Sequence, residues 1–249
     1  MFITTFAGTK ERYKPIKKET TAKKKTHPLK TIKTLCRNKY FILITLAFAV
    51  IYTSLGLTGG SRIYYAKYVL GDEMLNSTMT MFNYIPTILT IMLIPVFTKR
   101  FGKIKALFVG FLFYAAGLVL EIAGPVNLPM IYTGLVLQGI GHAALYSCLF
   151  AIVGDVVDYS EWKDGIREEG ITYSVTSFGQ KIGTGLGTAA LGWILAAGHY
   201  DGTAAVQSAS AIFAIKGLFL YLPLVITVIV LIIWYLFMGI DKIYPTVRK

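Results

Sequence analysis

Six apolar stretches, at residues 40–60, 79–98, 104–123, 128–154, 171–197 and 216–238, are what most constrain this sequence. Each is about as long as a bilayer core is thick, which takes roughly 20 apolar residues in a helix. Lipid offers a backbone no hydrogen-bond partner, so such stretches must be helices packed as a bundle. The second carries Asn83, Pro86 and Pro95, and the fifth carries Lys181 and a run of glycines. Neither reads as a span on hydropathy alone. The composition excludes a soluble domain. Of 249 residues, 55% are hydrophobic and 15% charged, against about 25% charged in soluble proteins.

The charges set the orientation. Twelve of the 25 Lys and Arg precede residue 40, four more lie in the turn 99–105, and Lys242, Arg248 and Lys249 close the chain. The alternate connections are poor in them. By the rule that basic residues stay inside, both termini are expected to be cytoplasmic. Residues 1–39 then form a basic cytoplasmic tail, 40–238 a six-helix transmembrane domain, and 239–249 a cytoplasmic C-terminal tail. The basic tail faces anionic lipid, so no nucleic-acid partner is expected. Cys36 and Cys148 fall at different levels, and no disulfide is expected between them. The connection 155–170 is the exception. It holds six acids against Lys163 and Arg167, although parity places it inside.

Lys181 lies about ten residues into its span, roughly 15 Å along the helix. A charge there costs on the order of 3 kcal/mol, so it calls for a partner or a wet cavity. Ser174, Ser177, Lys181, Thr184 and Thr188 recur at helical spacing and make one face polar. Gly183 and Gly187, four apart on the other face, suit close helix packing. In the fourth span Gln138, His142 and Tyr146 form a stripe over about 12 Å, a candidate cavity lining. Asn83 is a weaker candidate beside Pro86. Asp155 and Asp158 share a face at the negative end of a helix, where carboxylates need cationic partners. Arg167, Lys163 and Arg100 are available for a charge network.

The segment Gly154 to Gly170, with Asp155-x-x-Asp158-Tyr159, Glu161-Trp162-Lys163 and Arg167-x-Glu169-Gly170, resembles the glycoside-pentoside-hexuronide:cation symporters, a branch of the major facilitator superfamily. So does Tyr173-Ser174-Val175-Thr176-Ser177-Phe178-Gly179-Gln180-Lys181 with Gly192-Trp193 after it. The resemblance covers nearly the whole chain. It implies an all-α membrane protein, the six-helix C-terminal half of the superfamily fold, that moves a sugar or glycoside with sodium or a proton. It places Lys181, Ser177, Thr176 and Gln180 at the sugar site. Tyr146 stands where melibiose permease has a sugar-contacting tryptophan. It also assigns Asp155, Asp158, Arg167 and Arg100 to a cytoplasmic charge network. Met1 to Arg12 looks like the end of the family's sixth span, so a six-helix N-terminal half is the implied partner, and the coupling cation is expected to bind mainly there. The superfamily binds substrate between its two halves.

Two other functions compete with that reading. An inactive or structural six-span remnant would share every feature above. A metal-dependent intramembrane enzyme could use Asp155 and Asp158, but it needs a second, facing acid cluster that the sequence does not contain.

Overall fold

In the computed structural model, which describes residues 38–165, 168–204 and 206–237, the chain is helical throughout its spans. The helices are α1 (Lys39–Tyr68), α2 (Leu75–Phe101), α3 (Lys103–Ala123), α4 (Leu128–Asp164), α5 (Glu169–Ala197), α6 (Ala209–Lys216) and α7 (Leu222–Phe237). A π-turn, Gly217–Tyr221, joins α6 to α7, so 209–237 is one rod and the sixth span. The turn has a cause in Pro223, which has no N–H for the Phe219 carbonyl one turn earlier and whose ring crowds that turn. Among the described residues five helices are long and apolar enough to cross a membrane. The fifth, α5, falls short of that apolarity. The second does not, contrary to the expectation, because its prolines and Asn83 sit among long apolar side chains.

The helices outrun their apolar stretches. α1 continues to Tyr68 and α4 to Asp164, and the sixth rod starts at 209 rather than 216. Backbone hydrogen bonding persists after hydropathy falls, until a capping residue stops it. Gly165, at φ 64°, ends α4 in the left-handed conformation that glycine tolerates. The acidic segment 155–164 is therefore two or three helical turns, not a loop. Gly102, at φ 87°, is the whole connection between α2 and α3.

α5 packs along α1, α4 lies between α3 and α2, and α7 bridges α1 and α3. At one end Asn38 caps α1 by accepting from the Tyr40 amide at 2.9 Å, and donates to Ser160 Oγ at 2.8 Å. Tyr40 meets Tyr159 edge-on there. At the opposite end the Tyr65 hydroxyl donates to the Pro125 carbonyl, its ring stacks on Phe219, and the Tyr68 and Tyr200 hydroxyls lie 3.0 Å apart. Beyond α5, Thr203 donates its amide and hydroxyl to Asp201, which holds that carboxyl below its usual range.

Gly183 and Gly187 let α5 rest on the α1 backbone at the Ala49 and Thr53 carbonyls, where an added Cβ has no room. Gly185, on the opposite side of α5, faces open space. We predict that Gly187→Leu lowers the thermal midpoint in detergent by the equivalent of about 1–3 kcal/mol, while Gly185→Leu leaves it within about 0.5 kcal/mol. Equal effects would contradict the close α1–α5 contact.

Candidate functional site

A polar cavity of about 210 Å³ opens between α1, α2 and α4. α1 supplies Thr58 and Arg62, α2 supplies Thr80, Asn83 and Tyr84, and α4 supplies His142 and Tyr146. His142 lies 14 residues beyond the start of α4, about 21 Å at 1.5 Å per residue, so the cavity reaches well into the bilayer depth. Asn83 Nδ2 donates to the Leu135 carbonyl at 3.2 Å, which leaves its Oδ1 to accept from His142 Nδ1 at 3.3 Å. That contact fixes the imidazole as the tautomer with hydrogen on Nδ1. His142 also stacks obliquely between Tyr114 and Tyr146.

Arg62 is the charged member. Nη1 donates to Thr80 Oγ1 at 3.2 Å, and the Thr80 hydroxyl donates on to the Asn76 carbonyl at 2.7 Å. Its Nε is buried without a partner. In the sequence Arg62 falls just past the first apolar stretch, 40–60. The extra two turns of α1 turn it into a cavity residue.

Gln138 does not share the cavity with His142 and Tyr146. Its amide turns toward α3 and donates to Glu121 Oε1 at 2.7 Å. Glu121 is 0% exposed, and its Oε2 has no partner. Gly134 makes the room, since a Cβ there would sit 2.6 Å from Glu121 Cγ. In the sequence Glu121 lies near the end of the 104–123 stretch. The clue to its burial was Tyr114, Gly117 and Glu121 recurring at three- and four-residue steps on one face of α3.

Lys181 lies on an open groove of α5 with Tyr173, Ser174, Ser177 and Phe178. It is exposed, 12 residues past the start of α5, about 18 Å along. Thr176 is not on that groove. It is 0% exposed on the α1 side, and its hydroxyl donates to the Thr172 and Tyr173 carbonyls of its own helix. Gln180 is half-buried between the two faces. Thr184 and Thr188 do face outward, with hydroxyls bonded to the carbonyls of Gln180 and Thr184.

At the end that carries Asn38, Asp155 pairs with Lys103, whose Nζ lies 2.7 and 2.9 Å from the two carboxylate oxygens. Lys103 counted in the sequence only toward orientation. Arg100 stands exposed against the Phe101 ring and makes no ion pair among the described residues. Lys163 lies over the Tyr159 ring. Asp158 is half-buried one turn beyond Asp155, and Arg167 lies outside the described residues. Asp155 is 8% exposed, so Lys103→Met leaves a buried carboxylate uncompensated. That change should destabilise by about 3 kcal/mol, and the Lys103→Met/Asp155→Leu double change by clearly less. Additive losses in thermal midpoint would rule out a direct pair.

Long apolar helices packed around a polar cavity fit a membrane transporter. The chain belongs to the MFS/sugar transport protein family, whose pattern matches residues 1–242. It is 32% identical over 98% of its length to the isoprimeverose transporter of Lactiplantibacillus pentosus. It is also 32% identical, over 73% of its length, to a putative sulfoquinovose importer of Salmonella typhimurium. To the glucuronide carrier protein homolog of Escherichia coli it is 28% identical over 75%. The aligned parts are 50%, 38% and 41% of those proteins. The chain thus spans about half the length of the curated relatives it matches.

Proposed function

We propose that the chain acts as the C-terminal six-span half of a carrier that moves a sugar or glycoside with sodium or a proton. The observation that carries this reading is the polar cavity of Arg62, Asn83, His142 and Tyr146 within a bundle of largely apolar helices. Hydroxyl, amide, imidazole and phenol groups around a cavity suit a polyhydroxylated ligand, with aromatic rings for its apolar face. The open Lys181 groove supports the reading too, since it would be closed only by a second half across it. The names of the relatives favour sugars and sugar acids as cargo. In this proposal the coupling ion binds mainly in the other half. The bundle sits in the cell membrane with the Asn38 and Lys103 end inside, the side favoured by the Lys and Arg distribution. His142, Tyr146, Lys181 and Ser177 contact the sugar. Asp155 and Asp158, with Lys103 and Arg167, hold the cytoplasmic ends closed.

Produced together with a six-span N-terminal half in cells lacking glycoside uptake, the chain should support accumulation of a labelled xyloside or glucuronide above its outside level. Accumulation should collapse when the sodium and proton gradients are both dissipated. No accumulation with the second half present, or the same accumulation without it, would refute the proposal. For orientation, a cysteine at Asn127 should react with an impermeant maleimide from outside and one at Lys163 only from inside. The reverse pattern would invert the assignment.

A further inference from the structure

We propose that Arg62 makes the α1–α2–α4 cavity a site for an anionic sugar, one carrying a carboxylate or sulfonate, and so decides which sugars this half accepts. The proposal rests on the sugar-carrier reading and narrows it. Arg62 Nη1 is held by Thr80, itself anchored on Asn76, so the guanidinium is fixed rather than free to leave. Its Nε is buried with no partner, and no carboxylate lies within ion-pair distance of it among the described residues. Glu121 is within electrostatic reach but is engaged by Gln138. A guanidinium largely buried without a contacting anion is costly, and an unmade buried hydrogen bond adds to that cost. Arg62 lines the cavity, and a guanidinium takes an acidic group through parallel hydrogen bonds. A ligand that brings such a group would give the cation the contacting anion it lacks. Tyr84 and Tyr146 line the same cavity and are 49% and 44% exposed, leaving ring faces for the sugar itself. His142, whose Nδ1–H faces Asn83, offers its other ring nitrogen to a hydroxyl.

The test compares methyl glucuronide, a 6-sulfonated methyl glucoside and uncharged methyl glucoside as labelled substrates of the chain assembled with its N-terminal half. The unaltered carrier should take at least one of the two anions with a KM tenfold or more below that of the neutral sugar. The preferred anion distinguishes carboxylate from sulfonate. Arg62→Gln should raise the anion's KM 100-fold or more and change the neutral sugar's less than threefold, and Arg62→Lys should fall between. Equal loss of all three sugars in Arg62→Gln, recovered in Arg62→Gln/Glu121→Gln, would overturn the proposal and make Arg62 a counter-charge for Glu121. Uptake of the neutral sugar alone by the unaltered carrier would also overturn it while leaving the carrier reading intact. A carrier that moves none of the three overturns both.

Discussion

Replacing Lys181 by Met should abolish sugar accumulation in the assembled carrier, by 100-fold or more, while membrane insertion stays intact or improves. The cation stands exposed on α5, about 18 Å along the helix. No carboxylate lies within 4 Å of it among the described residues. Its neighbours Ser174 and Ser177 are small and polar, and Phe178 and Tyr173 are aromatic. A charge so placed gives the bundle no packing and costs insertion energy, so it is worth keeping only for a ligand or for the facing half. Met keeps the length and removes the charge. Uptake and surface expression are measured together. Normal expression with unchanged uptake would remove Lys181 from the transport path. A fall in expression matching the fall in uptake would make its role structural.

The second large effect should come from Gln138→Leu. Gln138 Nε2 gives the Glu121 carboxyl the one hydrogen bond it has among the described residues, at 2.7 Å, and the other carboxyl oxygen is already without a partner. Removing the amide leaves the whole carboxyl group unpaired inside the α3–α4 interface. The cost is about 1–3 kcal/mol for a neutral buried group and more for a charged one. Changing Glu121 and Gln138 to Leu together should cost less than Gln138→Leu alone, because no orphaned group remains. Thermal midpoints of the purified protein in detergent give the comparison. Simple addition of the two single effects would show that the residues act separately.

How far the sequence led depended on what each residue's neighbours were. Lys181 and Ser177 were legible because helical spacing alone assigns them a face, and α5 has a free face. Thr176 sits on the next face round, one position from Ser177, and a motif match could not tell the two apart. Only the packing of α5 into the bundle, which buries Thr172, Thr176, Gly179 and Gly183 and sets the two glycines on α1, separates them. Arg62 was missed because hydropathy marks where a helix stops being apolar, not where it stops being a helix. Glu121 was missed for a related reason, since a charge near a span end reads as a boundary. Its seven-residue offset from Tyr114 was the available signal. Lys103 rather than its neighbour Arg100 pairs with Asp155 for a geometric reason. Gly102 turns the chain between them, so the two cations leave on different helices and only Lys103 rises beside α4.

The central claim is that the Arg62–His142–Tyr146 cavity and the Lys181 groove border one sugar path. Single cysteines at Tyr146 and Ser177 of the assembled carrier, alkylated with a small maleimide with and without transported sugar, test it most directly. The account predicts that saturating sugar slows alkylation at both positions tenfold or more, and leaves a cysteine at Leu93 on the apolar side of α2 unaffected. Protection at neither position, or equal slowing at Leu93, would contradict it.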